Sequence, residues 1–573
     1  MSFGDLFFLA SGGVIGSGWL FEVQTEQRAG AWAVALWLIV GALVFVVAIV
    51  MVKLSIAVPR NGGLVFLPWK TGGPLLATVV AVSVWGFYAS NPPSEAIAVV
   101  RDLRTYWHLH GLVKANSNDL TWPGIGIAAL FMLLMVAVTL LGPRRFLQIN
   151  IALTAFKILV PLLVIALLAY AEIRSPSLPP SPPRSASARN YGASSVLSAV
   201  TGSGIIGGGM IYAYLGFQGP LDFAGNVRRR GIGEAKRLKR AVYATVLGSI
   251  LLYACLQIVP VYMRSRFGEA GTYIEFVNTV APGWAGAAVI TLIRLDTLLA
   301  PVGTGMIFVY VLTREVAAFS AAHLTHRGLQ LSKYSVIPLT SSRLRRLFDD
   351  DRLDVFWLIV IVDFIISAIM LYVVGNWSVF ASITSVLALI AYATPSVVLV
   401  TLKRMEPERF PGRGYSVLAT VGFVMISVIF FLLGWEQLWP GMATLTGGCL
   451  LLFSLPLVAR RPPWARWYDV DPEADAAKFL QWRNPAPQSA LVLFGYFSLS
   501  TLASLLSKYA WPGNLGAELG IAAILAVLAW LSFSRLVELS VKYMEDNRPK
   551  LPDAMPSAAG PGPTPGTATA PAG

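Results

Sequence analysis

The stretch Ser11-Gly12-Gly13-Val14-Ile15-Gly16-Ser17-Gly18 places four glycines in eight positions, in the middle of an apolar run over residues 4–27. In a helix interior each glycine costs about 1 kcal/mol relative to alanine. The run is therefore long enough to cross a bilayer yet weakened at its centre. Two readings fit. Small residues let helices pack closely in lipid; alternatively the helix is interrupted, and backbone groups that lipid cannot satisfy face a cavity. A second stretch favours interruption. Gly202, Gly204, Gly207, Gly208, Gly209, Gly216, Gly219, Pro220 and Gly225 weaken another apolar run, residues 197–226. Interrupted segments in two halves of a membrane protein point to a binding site, where freed backbone groups meet a carboxylate or an ammonium group.

The rest of the chain is of the same kind. Of its 573 residues 56% are hydrophobic and 13% charged, against roughly 45–50% and 25% in soluble domains, which excludes an ordinary soluble protein. Further windows of about 20 apolar residues, the length that spans a bilayer, lie near 32–58, 75–101, 123–142, 146–171, 237–263, 284–320, 354–374, 377–402, 415–434, 437–458, 488–507 and 517–543. With the two glycine-rich runs they predict about fourteen helical spans. The net charge of +14 comes from short basic blocks between spans, such as Arg144-Arg145, Arg228-Arg229-Arg230, Lys403-Arg404 and Arg460-Arg461. These blocks fall on one side, which the positive-inside rule makes cytoplasmic together with both termini. The basicity sets topology and implies no nucleic acid. The Pro/Ser-rich run Ser175 to Ser187 is expected to be an external connector, and 547–573 a disordered tail. The first run has neither a basic leader region nor a small-residue cleavage motif, so it is expected to stay in the mature protein. Cys255 and Cys449, the two cysteines, give no disulfide frame and no metal-ligand spacing.

The motifs carry a resemblance. Ile15-Gly16-Ser17-Gly18 resembles the first-helix signature of the amino acid-polyamine-organocation superfamily, and Gly216-Phe217-Gln218 its sixth-helix break. Trp19-Leu20-Phe21, Pro59-Arg60-Asn61-Gly62-Gly63, Leu221-Asp222-Phe223-Ala224-Gly225, Asp296 and Ala300-Pro301-Val302-Gly303-Thr304-Gly305 are similar to the fourteen-helix aspartate/glutamate transporter branch. The resemblance implies an all-α polytopic membrane protein with a five-plus-five inverted-repeat core and broken first and sixth helices. It implies a ten-helix transport core over 1–402, helices 11 and 12 over 403–458, a cytoplasmic loop over 459–487, helices 13 and 14 over 488–545 and a tail over 546–573. It also implies substrate-binding residues: Ile15, Gly16, Ser17 and Gly18 at the substrate carboxylate, Gly216, Phe217 and Gln218 beside the substrate, and Tyr212 as an aromatic gate. The sequence departs from the pattern at Gln218, where an acid is usual, and at Asn226 and Arg228-Arg229-Arg230, which makes a cationic substrate less expected.

Ionisable groups deep in a membrane mark ion pathways or paired bridges. Lys157 lies about eleven residues into the fifth span, between Phe156 and Ile158. Taking an amine out of water disfavours its charged form, which lets a lysine exchange protons. The resemblance places it where sodium-coupled relatives hold sodium; the other reading is a permanent charge neutralised by a partner. Asp296, near the middle of the eighth span, is the second proton-coupling candidate, and helical spacing turns it away from Arg294. Asp363 reads as a packing or pairing residue. Glu95, beside Pro92-Pro93, reads as lying near the external end, facing water.

No phosphate-binding loop, metal cluster or nucleophile motif is present, so no cofactor, metal or catalytic residue is expected. The function expected is a plasma-membrane secondary transporter moving a small or acidic amino acid with protons. The rivals are an exchanger without proton coupling and a non-transporting receptor or accessory subunit.

Overall fold

A chain that crosses lipid has to satisfy its own backbone hydrogen bonds, and apolar runs of this length can do so only as helices. The computed structural model of the protein is accordingly helical, and it describes residues 2–25, 32–115, 119–174, 208–224, 232–267, 272–281, 283–322, 324–325, 336–338, 352–354, 357–412, 414–459, 481 and 483–547. The expected external connector Ser175 to Ser187, together with Gly202, Gly204, Gly207, Gly225, Asn226, Arg228, Arg229, Arg230 and residues 460–480 and 548–573, lies outside the described residues.

In chain order the helices are α1 (Phe3–Val14), α2 (Gly18–Thr25), α3 (Trp32–Ala57), α4 (Gly63–Trp107), α5 (Trp122–Leu140), α6 (Pro143–Arg174), α7 (Gly208–Tyr214), α8 (Gly219–Asp222) and α9 (Ile232–Phe267). They continue with α10 (Tyr273–Val280), α11 (Trp284–Ala321), α12 (Trp357–Val374), α13 (Trp377–Met405), α14 (Gly414–Leu432), α15 (Trp435–Ala459), α16 (Pro485–Ala510) and α17 (Leu515–Asn547). Two short antiparallel strands, β1 (Val336–Pro338) and β2 (Arg352–Asp354), pair between α11 and α12. Among the described residues eleven helices are long and apolar enough to cross a membrane. The described parts of the expected windows 4–27 and 197–226 hold the interrupted pairs α1–α2 and α7–α8, and 437–458 falls within α15.

Burial separates centre from periphery. The apolar windows of α13 and α4 are 100% and 94% buried by other helices, whereas those of α5, α12 and α17 are 28%, 28% and 17% buried and present their sides to lipid. The core is α4 packed against α11 and α13, with α1 lodged among α6, α9 and α11.

The third span differs from its expected limits. It starts at Gly63 instead of 75, because a leg of ten residues is joined to the main helix through a kink at Gly73 (φ 85°, ψ 176°). Pro74 causes the bend, since it lacks an N–H and its ring displaces the carbonyl four residues earlier. A side chain at Gly73 would meet Ala486 on α16 and Tyr543 on α17 at 2.9 Å. Ser489 Oγ on α16 lies 3.3 Å from the Gly72 carbonyl and 2.9 Å from Ala486 O, and its one proton serves one of the two at a time. The last two helices are therefore packed onto this kink.

Candidate functional site

α1 stops at Val14 because Ile15 turns to an extended conformation (φ −90°, ψ 93°), and helix resumes at Gly18. The break frees carbonyls at mid-span, and a cation meets them. Lys157, on α6 and fully buried, donates from Nζ to Gly12 O at 2.7 Å and to Thr304 Oγ1 at 2.9 Å. Thr304 Oγ1, on α11, lies 3.0 Å from both Gly12 O and Ile15 O. A hydroxyl has one proton, so it donates to one of the two at a time. One ammonium thus ties α1, α6 and α11 together. Gly303 makes room for it, since a Cβ there would come within 3.1 Å of Nζ.

A carboxylate stands on the other side of the break. Glu95 is 1% exposed, which corrects its reading as a water-facing residue near the external end. The reason is the length of α4, which carries it past the α1 break instead of leaving it at a helix end. Glu95 Oε2 accepts the Ser17 N–H at 3.0 Å, and Oε1 accepts the Tyr212 hydroxyl at 2.7 Å. Tyr212 is held in turn by Asn91 Nδ2 at 2.9 Å, by Ser94 Oγ and by an edge-on contact with Trp377. Gly16 is wedged between the two halves of this site: a Cβ there would lie 2.8 Å from both Glu95 Oε1 and Thr304 Oγ1.

The second break touches the first. Gly216 has φ 110°, a conformation natural to glycine alone, and a Cβ on Gly13 would reach its Cα at 2.9 Å. The two backbones are in contact with no side chain between them. Gln218 then turns back, accepting the Gly216 N–H at 2.9 Å and the Tyr392 hydroxyl at 2.7 Å on Oε1, and donating from Nε2 to Tyr88 Oη at 3.1 Å. Phe217 is buried against Tyr392.

The structure therefore gathers Ile15, Gly16, Ser17, Tyr212 and Lys157 around the α1 break, with Gly216, Phe217 and Gln218 across from it. Gly18 points elsewhere, its Cβ position being 2.8 Å from Ala213 Cβ on α7. Asp296 is fully buried but faces α2, where its Oδ2 accepts Trp19 Nε1 at 3.0 Å; it forms no ion pair with Arg294. Asp363 accepts Trp85 Nε1 at 2.9 Å, in keeping with a pairing role. The residues missed in the sequence are Glu95 as a site residue, its supports Asn91 and Ser94, and Tyr88 and Tyr392. One signal was available: Tyr88, Glu95 and Asp102 recur every seven residues, which puts three polar groups on one face of an otherwise apolar helix.

The amino acid permease family model matches residues 1–451. The glutamate/serine transporter AimA of Bacillus subtilis (strain 168) is 26% identical over 483 residues, covering 81% of this chain and 81% of its own. The aspartate-proton symporter of the same organism is 23% identical over 572 residues, covering 95% and 98%. Among solved structures, a manganese transporter mutant from Eremococcus coleocola aligns over 93% of this chain and 95% of its own, with 11% identity and a TM-score of 0.43. With more than three quarters of its length matched, this helical membrane protein belongs to the amino acid permease family.

Proposed function

We propose that the protein is a secondary active transporter that takes up a small or acidic amino acid together with protons, by alternating access. The observation that carries this reading is Lys157, a buried cation bonded to the freed carbonyl of the broken helix and to α11. A charge at that point holds α1 against α6 and α11; the neutral amine keeps two N–H groups but loses the charge, which loosens the bridge, so protonation and helix position are linked. Glu95 supplies the second half of the coupling. Its carboxylate already occupies the Ser17 N–H, the backbone region expected to take the substrate carboxylate. Two carboxylates cannot share one donor at van der Waals range, so substrate binding requires Glu95 to withdraw or to take up a proton. The two named relatives act on glutamate and serine and on aspartate with protons, which supports the substrate class. The second reading, an exchanger with Lys157 as a fixed charge, draws on the same hydrogen bonds. Purified protein in liposomes with and without an imposed pH gradient separates them. Accumulation driven by the gradient supports coupling, and trans-stimulated exchange alone supports the second reading.

Two further results are expected. Gly16→Val should abolish substrate binding while the protein still reaches the membrane, because the added side chain fills the space between Glu95 and Thr304. Gly18→Val should instead lower the melting temperature, since it drives α2 off Ala213. Ligand-binding and thermal-unfolding measurements on the two variants test this, and equal binding by Gly16→Val would return the glycines to a packing role. We also propose a plasma-membrane location with both termini cytoplasmic. A cysteine placed at Ser181, in a chain lacking Cys255 and Cys449, should react with an impermeant reagent from outside intact cells. Reaction only after lysis would invert the orientation.

A further inference from the structure

Two carboxyl groups at the far end of α8 and α11 take no part in the scheme above. Asp222 closes α8 and Glu315 lies six residues before the end of α11; both are 1% exposed. They converge on Gly62, where a Cβ would lie 3.6 Å from Glu315 Oε2, and the two carboxyl groups interact with each other. Tyr88 donates to Asp222 Oδ2 at 2.6 Å, and the Gly62 N–H donates to the Asp222 carbonyl at 3.2 Å. The Leu64 and Val65 N–H groups, at the start of α4, are turned toward Glu315, but neither of its oxygens receives a well-aligned N–H or O–H. An ionised carboxylate only accepts hydrogen bonds, so two of them cannot bond to each other. Side by side in a buried place they repel, and the pair is stable when one proton lies between them, with the remaining negative charge facing the N-terminus of α4.

We infer that Asp222 and Glu315 form a second proton-binding site, holding one proton between them where α4, α8 and α11 meet. The groups around it are Tyr88 on α4, Tyr392 on α13 and Arg60, which lines the same crevice as Asp222; Arg314 precedes Glu315 on α11. The guanidinium of Arg314 lies over the rings of Phe223 and Tyr310. The site is wired to the helix breaks: the Gly216 N–H bonds to Gln218, Gln218 to Tyr88, and Tyr88 to Asp222. Separation of Gly216 from Gly13 pulls on this chain and changes how Asp222 is held. The inference rests on the proposed orientation only for its direction, which makes this the cytoplasmic side, where an imported proton leaves.

The test is infrared spectroscopy of the full chain in lipid, comparing the protonated-carboxyl stretch of wild type with Glu315→Gln, Asp222→Asn and Glu315→Asp. Melting curves confirm that each variant is folded. A shared proton predicts that one protonated-carboxyl band is lost in both amide variants, because the amide then donates to the surviving carboxylate, and that it is kept in Glu315→Asp. Loss in only one amide variant means an isolated neutral acid and overturns the sharing. Loss in neither overturns the site. The readout needs no transport, so a wild type that ignores pH gradients would sink the coupling reading and leave this result standing.

Discussion

Lys157→Arg should bind substrate yet fail to accumulate it against a gradient. Guanidinium keeps its proton throughout the physiological range, so the bridge from α6 to Gly12 O and Thr304 would never open. With one proton per substrate, each unit of pH difference supports about tenfold accumulation, about 1.4 kcal/mol; the arginine variant should hold the ratio at one. Lys157→Ala should reach the same ratio by another route. It leaves the single Thr304 proton to serve both Gly12 O and Ile15 O, at about 1–3 kcal/mol for the carbonyl left unsatisfied, and its melting temperature should fall. Gradient-driven uptake, counterflow exchange and thermal unfolding, measured together, separate the two variants. Wild-type accumulation by Lys157→Arg would remove Lys157 as the carrier and turn attention to Asp296, whose contact with Trp19 links it to α2.

Glu95→Gln should bind substrate with an affinity that no longer depends on pH. On the proposed mechanism, substrate takes the Ser17 N–H only when Glu95 is neutral, so binding would take up a proton and affinity would fall as pH rises, by up to tenfold per unit. The amide is a permanent imitation of the neutral acid. It is also tolerable locally: its nitrogen donates to Tyr212 Oη, whose proton turns to Ser94, and its uncharged oxygen, which accepts from Ser17 in the empty site, yields that N–H to a substrate carboxylate without repelling it. Expression and melting should therefore stay near wild type, and gradient-driven accumulation should be lost. Titrating substrate into both proteins across the pH range checks this. A parallel pH dependence in the two would show that Glu95 is a structural cap for α2 and carries no proton.

Sequence alone reached the membrane fold, the two broken helices and the family, because each is written in local terms: apolar run length, clustered glycine and short motifs. It also reached Lys157, since a lone amine among apolar neighbours has few explanations. Glu95 was misplaced for a physical reason. Its neighbours Pro92 and Pro93 suggest a helix end, whereas α4 runs through them to Trp107 without a break. Gly18 is a motif glycine that also lets α2 pack against Ala213, a contact no local pattern shows. The contact between Asp222 and Glu315 joins residues far apart in the chain and has no local signature. The same holds for the approach of Gly216 to Gly13, which depends on how two separate breaks are stacked.

The kink at Gly73 bears on where mechanical compliance resides. Pivoting α4 about that glycine would tear its backbone from Ala486 and Tyr543 and strip Gly72 of the Ser489 hydroxyl. The hairpin of α16 and α17 thus works as a clamp on a long lever, and the lever carries Tyr88, Glu95 and Asp102 in fixed registration. The α1 and α7–α8 backbones meet at Gly13 and Gly216 with no side chain interposed at that point. On the proposed mechanism, a shortened chain lacking the last hairpin would keep every group of the site while losing the frame against which the broken helices would move, and its defect would show as slippage between proton and substrate fluxes instead of loss of binding.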